Sequence, residues 1–570
     1  MTASTLLEES LELLVSISDD LAPCGPAVLH LVSRLSDSCH SGLEDRIRLR
    51  EATHLSETLR QLADEKLNSF PYHAVPTRWR RLYTDAVLYG AVAALRARES
   101  AVEQGEQETR EALLQAIGRL DLAIVIAGTP GPMRHELALS LIALAQKRLA
   151  AGLGSPALPA AAEVATFERP AKRPRTRRSS EADSTTTAGS WTPASSSYPP
   201  RLAPAPAPYM DLPLTELPSL PTFLDPAHNP SYRQPFIVRR GAVHFPAFST
   251  TTTTTTATAK TENARPRSRW SDSEYLRRIA GEGRVVPVEV GGDYTKEEWG
   301  QRMMPFAEFL DSLAAVDAAR GGINANGVED DAPTAEQDAS ASCSSTPPPL
   351  YYLAQHSLFR QFPFLLSDLL IPDLVYSPPE HHSSSDPYST SGSAAAEPRV
   401  YESPQTEEGY VLNAWLGPRG TKSAAHTDPW WNCYVQMAGS KWIWVAPPEC
   451  GPYMSAFGGE TTTSTDPPEG DDSRAKTTAD ATPATGPANS QEGKTTAEEY
   501  MTNTSSLDVT VPPPPSSATK PTPYPPEFLE HVRPHARQGV LEEGDVLVMP
   551  PGWWHAMVGL ETSFSVSMWF

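Results

Sequence analysis

The sequence predicts an α+β chain in which an α-helical N-terminal region precedes a β-sandwich or barrel with long polar inserts at its turns. Three observations predict it. Apolar residues recur at helical spacing through residues 1–152. Short runs rich in Val, Ile, Trp, Tyr and Phe, punctuated by Gly and Pro, follow from residue 213 to 570. Around and within these runs lie tracts of Ser, Thr, Ala and Pro, which contain many of the 57 prolines and cannot bury enough apolar surface to fold.

In the helical region, "STLLEESLELLVSI" places Thr5 three residues before Glu8, a capping-box spacing, and sets Leu7, Leu11, Leu14 and Val15 on one face. "GPAVLHLVSRL" puts Pro26 in a first turn, where its missing N–H has no helical partner to lose. "YTDAVLYGAVAALRAR", "TREALLQAIGRLDLAIVIAG" and "GPMRHELALSLIALAQKRLAAGLG" continue the pattern, with Gly128 and Gly152 as stops. A helical bundle for packing or partner binding is expected here, without a catalytic cluster. Residues 153–212 read as a disordered linker. Its run "ERPAKRPRTRRSS" carries Lys172, Arg173, Arg175, Arg177 and Arg178. That cluster reads as a nuclear localisation signal, and otherwise as a solvated basic patch with some non-specific nucleic-acid affinity.

From residue 213, "QPFIVRRGAVHFPAF" reads as a strand and turn, and "RWSDSEYLRRIAGEG" as a short helix with Ser271 near its cap. "RVVPVEVGGDY" is a strand and "PFAEFLDSLAAVDAAR" a helix. "LYYLAQHSLFRQFPFLLSDLLIPDLVY" gives a strand and a short helix. "GYVLNAWLGPRG", "HTDPWWNCYVQMAG" and "SKWIWVAPPE" are three close strands, and "VLEEGDVLVMPPGWWHAMVGLETSFSVSMWF" supplies two or three more. Disordered inserts are expected at residues 249–265, 322–348, 378–398 and 456–523. Turns tolerate such inserts because loop closure costs only about 0.6 kcal/mol per doubling of length.

A formal net charge of −22 excludes a generally basic nucleic-acid binder, and the acidic surface suits a basic peptide or simply keeps the chain in solution. Cys24, Cys39, Cys343, Cys433 and Cys450 are scattered, with no Cys-x-x-Cys pair. Zinc fingers and a disulfide framework are therefore not expected, and a reducing compartment fits. "MTASTLLEESLELL" lacks the positive start of a signal peptide, and no run of about 18 apolar residues predicts a membrane span.

Chemistry concentrates in "GTKSAAHTDPWWNCYVQMAGSKWIWVAPPE", residues 420–449. On one strand, His426 and Asp428 at i and i+2 face the same way, with Thr427 turned aside. An imidazole and a carboxylate are two parts of the 2-His-1-carboxylate triad, which holds non-haem Fe(II) and leaves three positions open. His555, in "PPGWWHAMVG", is the candidate third ligand. On spacing alone a His-x-Asp pair is more often a polar strand with a buried, hydrogen-bonded histidine.

Longer motifs add to this. "NAWLGPRGTKSAAHTDPWWNCYVQMAGSKWIWVAPPE" resembles the core of JmjC-domain Fe(II)/2-oxoglutarate-dependent oxygenases, and "EEGDVLVMPPGWWHAMVGLETSFSVSMWF" resembles their closing strands. "RVVPVEVGGDYTKEEWGQRMMPFAEFL" and "YYLAQHSLFRQFPFLLSDLLIPD" resemble the upstream segments. The resemblance is nearest to the subgroup of JmjC-domain-containing protein five, also called lysine demethylase eight, which also carries helices ahead of its JmjC domain. It covers residues 213–570 outside the inserts.

This resemblance implies a double-stranded β-helix, the cupin-like barrel, with Fe(II) held by His426, Asp428 and His555. It implies that Lys441 pairs with the distal carboxylate of 2-oxoglutarate and that Tyr352, Ser423 and Asn432 make further co-substrate contacts. Glu289, Gln355 and Trp415 match positions near the substrate side chain, where a carboxylate suits a cation. The implied activity is a protein oxygenase acting on a basic side chain, either an arginine or lysine hydroxylase or a histone lysine demethylase. Such an enzyme consumes O2 and 2-oxoglutarate and produces succinate and CO2. The implied partners are a protein or histone peptide with a basic side chain and a partner protein on the helical region. Membrane binding and direct sequence-specific nucleic-acid binding are not expected. Nuclear localisation is expected, with a cytoplasmic pool allowed.

Trp430 and Trp431 depart from the subgroup, where polar residues are expected. They either reshape the substrate mouth or pack outside the barrel, and packing is expected for the one turned from the metal. A catalytically weak JmjC scaffold is the alternative reading. The presence of all three ligands and Lys441 favours activity. Lys441 also speaks against a cupin metalloenzyme without a dicarboxylate co-substrate.

Overall fold

The computed structural model describes residues 3–15, 19–40, 46–71, 74–99, 106–152, 209–224, 233–248, 267–291, 299–320, 349–379, 401–457, 503–511 and 522–570. The chain opens with α1 (Ala3–Val15), α2 (Pro26–His40), α3 (Arg46–Leu67), α4 (Thr77–Glu99), α5 (Glu106–Leu122) and α6 (Arg134–Gly152). Their apolar faces close over one core, in which Leu7, Leu11, Leu35, Leu82, Ile117 and Leu141 are buried. Pro26 opens α2 as expected, and Gly128, at φ +74°, caps the turn that follows α5. Thr5 lies inside α1 and does not cap it, because the helix already runs from Ala3. The sequence reading passes over α3, whose "RIRLREATHLSETLRQLADEKL" is dense in charge. Leu55, Leu59 and Ala63 nevertheless recur every four residues and pack into the core.

The second unit contains β1 (Met210–Asp211), β2 (Leu214–Thr215), α7 (Leu220–Leu224), β3 (Phe236–Val238), α8 (Ser273–Ala280), β4 (Val285–Val290), β5 (Gly300–Pro305) and α9 (Phe306–Arg320). It continues with β6 (Tyr351–His356), α10 (Leu358–Gln361), β7 (Val411–Gly417), β8 (Lys422–His426), β9 (Asn432–Ala438) and β10 (Lys441–Ala446). It ends with β11 (Arg537–Leu541), β12 (Val546–Met549), β13 (Trp554–Gly559) and β14 (Ser563–Trp569). A minor sheet runs β1-β11-β10-β13-β8, and a major sheet runs β2-β3-β12-β9-β14-β7-β6-β4-β5. The tight turn at Gly439, φ +67°, takes the chain from β9 in the major sheet to β10 in the minor one. A Cβ at that position would overlap the Thr562 carbonyl oxygen, so only glycine fits.

The two sheets face each other across an inner layer of Ile237, Tyr434, Ile443, Val445, Leu547 and Met557. Strand alternation sorts the rest. On β14, Phe564, Val566 and Met568 join the outer core, while Ser563, Ser565 and Ser567 alternate with them and are also buried. On β10, Trp442 and Trp444 pack outward against Phe528 and Tyr524, leaving Lys441, Ile443 and Val445 to the inside. This is the expected double-stranded β-helix behind an N-terminal helical region.

Three boundaries differ from the sequence reading. The barrel takes in residues 209–212, which the sequence assigns to the linker. There β1 pairs with β11, Tyr209 packs on Trp444 with ring centroids 6.1 Å apart, and Leu212 enters the inner layer. Residues 503–511 lie within the expected insert 456–523 yet pack on the barrel, with Val509 only 1% exposed. Thr504 bridges His426, so this short polar segment covers the open edge of β8, an edge that would otherwise present unpaired backbone groups. Asp272, not Ser271, caps α8. Residues 249–265, 322–348, 380–398, 458–502 and 512–521 lie outside the described residues, as does the linker 153–208 with its basic run. Cys24, Cys39, Cys433 and Cys450 are free thiols. Among the described residues, no helix is long and apolar enough to cross a membrane.

Candidate active site

Strand β8 ends at His426, and Asp428 lies in the turn beyond it. Asn432 begins β9 in the other sheet. The single strand expected from His426 to Asn432 is therefore two strands joined by a crossover, broken at Pro429. His426 and Asp428 still meet across that crossover. The Gly552 N–H donates to the Asp428 carbonyl at 2.8 Å and ties that turn to the one entering β13.

His555 lies on β13 directly across from His426. The ladder then slips, so that Met557 pairs with Ser423. The extra residue on β8 is a β-bulge, and it lets both Ser423 and His426 face inward at a spacing of three. Ligand atoms of His426, Asp428 and His555 all lie within 4.8 Å of one another. Asp428 Oδ2 is 3.6 Å from His555 Nε2, and Oδ1 is 4.0 Å from His426 Nε2.

The imidazoles are held for this arrangement. His426 Nδ1 lies 2.8 Å from the Ala424 carbonyl and His555 Nδ1 3.0 Å from the Trp553 carbonyl. A carbonyl only accepts, so each Nδ1 carries a hydrogen, and each ring is held with Nε2 toward the carboxylate. Burial, reinforced by neighbouring His426 and partly opposed by Asp428, lowers His555 to about 4, so it is neutral at physiological pH. Thr427, between the two ligands, is bracketed by one residue. Its N–H donates to the Asn503 carbonyl at 3.0 Å, and its carbonyl accepts from Asn503 Nδ2 at 2.9 Å.

Lys441 starts β10 and shares the inner face with Val445, whose cross-strand partner is His555. The lysine is 2% exposed. Its Nζ donates to Tyr434 Oη at 2.9 Å and Tyr352 Oη at 3.3 Å. Among the described residues no carboxylate pairs with it, and burial lowers it to about 7. Ser423 lies beside the Tyr352 hydroxyl, whose pKa burial raises well above the ordinary range, with Tyr434 and Glu289 adding to the rise. Asn432 is buried, and its Oδ1 has no hydrogen-bond partner among the described residues.

The remaining predicted positions lie on β4, β6 and β7, which are neighbours in the major sheet. Glu289 pairs with Tyr352, which puts it on the same inner face. Burial pushes Glu289 up to about 7, with Trp299 beside it. Trp415 is half-buried, donates from Nε1 to Ser567 Oγ at 3.0 Å, and has its ring 6.3 Å from that of Tyr352. Gln355 sits in a second bulge, where the β6–β7 register slips between Leu353 and His356, at φ +45°. That left-handed conformation is uncommon for a side chain of this kind.

Of the two unusual tryptophans, Trp431 is fully buried in the outer core against Phe223 and Phe570. Trp430 packs on Trp569. Trp431 thus takes the outside packing expected for the residue turned from the metal. The sequence reading missed Tyr434 and Asn503. Tyr434 is two residues beyond Asn432, so strand periodicity alone places it beside Asn432. Asn503 lies in what reads as an insert, and no local signal marks it.

A family model described as a cupin-like domain matches residues 229–570. The chain is 26% identical over 527 residues to lysine-specific demethylase 8 of Xenopus tropicalis, covering 90% of this chain and 88% of that protein. It is 26% identical over 302 residues to Jumonji C domain-containing protein 5 of Drosophila melanogaster, 53% of this chain and 50% of that protein. To lysine-specific demethylase 8 of Danio rerio it is 29% identical over 301 residues, 53% and 48% of the two chains. The chain thus spans about half the length of the fly and zebrafish relatives and most of the frog one. Two facing sheets, a His-Asp-His cluster at their rim and a match from residue 229 to 570 agree: the chain belongs to the cupin-like family, with JmjC-domain proteins as its relatives.

Proposed function

We propose that the protein is an Fe(II)- and 2-oxoglutarate-dependent oxygenase that hydroxylates a basic side chain of a protein substrate. The observation that carries this reading is a buried lysine without a counter-charge on the same inner face as a His-Asp-His cluster. Two imidazoles and a carboxylate suit Fe(II). A buried ammonium that meets only hydroxyls is costly, and the distal carboxylate of a dicarboxylic acid supplies the missing partner. When bound, iron and 2-oxoglutarate supply, with O2, the oxidising power that converts a substrate C–H to C–OH and releases succinate and CO2. If the hydroxylated carbon is an N-methyl group, the product loses it and the outcome is demethylation.

In this reading His426, Asp428 and His555 hold the metal. Lys441 anchors the co-substrate, with Tyr352 and Tyr434 fixing its ammonium. Ser423 and the unpaired Asn432 Oδ1 offer further polar contacts. Glu289, Gln355 and Trp415 line the approach of the substrate side chain, with Trp415 beside Tyr352. The names of the frog and zebrafish relatives, lysine-specific demethylases, support a protein substrate with a basic residue. Succinate formation with Fe(II), 2-oxoglutarate and basic peptides tests the reading. Peptide-stimulated succinate is expected, and a rate indifferent to every peptide and to iron contradicts it.

Glu289 adds a pH dependence. Its carboxyl titrates at about 7 in the free protein, and only the ionised form pairs with a cation. The KM for a basic peptide is therefore expected to fall as pH rises through about 7 and then to level off. Glu289→Gln is expected to raise that KM about tenfold or more and to flatten its pH profile. An unchanged KM and profile would remove Glu289 from substrate recognition. Residues 172–178 are proposed as a nuclear import signal on composition alone. Replacing their five Lys and Arg residues by Ala is expected to shift the protein to the cytoplasm, and an unchanged distribution would leave the run a linker.

A further inference from the structure

One buried carboxylate of the helical region reaches into the barrel at the two strands that carry the proposed substrate contacts. Asp121, near the end of α5, is fully buried. Its Oδ2 accepts from Arg284 Nε at 2.8 Å and from the Val285 N–H at 2.9 Å. Its Oδ1 accepts from Arg284 Nη2 and Gln361 Nε2, each at 2.7 Å. Arg284 immediately precedes β4, the strand of Glu289. Arg284 Nη2 also donates to the Gln361 carbonyl at 2.8 Å, and Gln361 Nε2 to the Val285 carbonyl at 2.9 Å.

Gln361 therefore has its amide nitrogen committed to two acceptors, which fixes the orientation of its side chain. Its Oε1 meets His356 Nε2 at 2.6 Å. Burial lowers His356 to about 4, so the imidazole is neutral, and Nε2 carries the hydrogen toward the amide oxygen. His356 ends β6 and closes the bulge that holds Gln355 at φ +45°. The relay thus runs from Asp121 through Gln361 to the residue next to a proposed substrate contact. Other contacts press the same faces together. Arg110 pairs with Glu282, and Gln146 Nε2 donates to the Ala280 and Glu282 carbonyls at 3.0 and 2.9 Å. Arg360 Nη2 donates to the Gly128 carbonyl at 2.9 Å.

We infer that the helical region is a working part of the substrate pocket, and that Asp121 is a positioning residue that sets β4 and β6, and with them Glu289 and Gln355, for peptide recognition. This rests on the substrate side proposed for those two residues. The metal ligands and Lys441 lie on β8, β10, β13 and the adjoining turn, none of which Asp121 touches. Asp121 therefore governs peptide binding separately from metal binding, while Tyr352, on β6 and hydrogen-bonded to Lys441, links the same strand to the co-substrate side. A strained bulge persists only where its surroundings over-determine it, and the relay supplies that constraint. A buried carboxylate with four donors is a strong one.

The test uses the full chain and two variants. Asp121→Asn keeps the shape but removes the charge, and Gln361→Met cuts the relay while leaving the Asp121–Arg284 pair. Each is compared with wild type for peptide KM, 2-oxoglutarate KM, metal Kd and amide exchange over residues 285–290 and 351–356. Peptide KM is expected to rise about tenfold in either variant, with metal Kd unchanged, a smaller rise in 2-oxoglutarate KM through Tyr352, and exchange faster on both strands. Peptide KM within twofold of wild type in both, or a rise matched in metal Kd, overturns the inference. If Asp121→Asn does not fold, Gln361→Met decides alone. If wild type oxidises no basic peptide, the proposed function fails, and unchanged exchange in the variants then separately overturns the positioning role.

Discussion

Asp428→Ala is expected to weaken Fe(II) binding by more than about 100-fold. Groups that merely orient metal ligands are worth roughly 10–100-fold, and this variant removes a ligand outright. The carboxylate is the only anionic member of the cluster, and it alone faces both Nε2 atoms, at 3.6 and 4.0 Å. Its loss leaves two imidazoles. Folding is not expected to suffer in parallel, because the turn is held through the Asp428 main chain by Gly552 and through Thr427 by Asn503. Calorimetric titration with Fe(II) under anaerobic conditions, paired with thermal melts, separates the two effects. Retained iron stoichiometry in Asp428→Ala would show that the cluster is not the metal site.

Lys441→Met is expected to raise the 2-oxoglutarate KM by about thirtyfold or more, since removing one member of a buried charged pair typically costs about 2–5 kcal/mol. Metal affinity should be unchanged. The same variant is expected to be more stable than wild type without co-substrate. The reason is in the titration. Lys441 falls from its ordinary 10.5 to about 7 on folding, so the unfolded chain binds its proton more tightly. The destabilisation is fully present below pH 7 and is relieved as pH rises toward 10.5. The melting-temperature gain of Lys441→Met should therefore be largest at pH 6 and shrink by pH 9. A variant less stable than wild type at pH 6 would mean that Lys441 is paired in the free protein.

Much of the site was legible because its chemistry is written in residue types that strands rarely need inside a barrel. His426, Asp428 and His555 stand out against apolar strands, and Lys441 stands out once the motif blocks are matched. The backbone devices that aim them were not legible. Period two would place Tyr434 beside Asn432, because the start of β9 pairs regularly with β12 and β14. It fails at β8, where the bulge brings Ser423 and His426 inward together, and at β6, where Gln355 turns left-handed. A bulge is decided by pairing with a partner strand distant in sequence, so no window around Ser423 or Gln355 contains the cause. The same holds for residues 503–511, polar and short, which earn their order by completing the β8 edge. Asp121 reads locally as an ordinary helix-end carboxylate, and its four donors arrive from residues 284–361. Conversely, α3 was missed although its periodicity is local, because its charges mask a stripe that α4 covers.

The central claim, oxidation of a basic side chain at the His-Asp-His cluster, is tested most directly by the mass of the peptide product. Basic peptides, with and without N-methyl groups, are incubated with the full chain, Fe(II), 2-oxoglutarate and air, beside a His426→Ala control. The account predicts a gain of about 16 Da for a stable hydroxylation, or a loss of about 14 Da from a methylated residue, with wild type only. No mass change with any basic peptide, or the same change with His426→Ala, would contradict it.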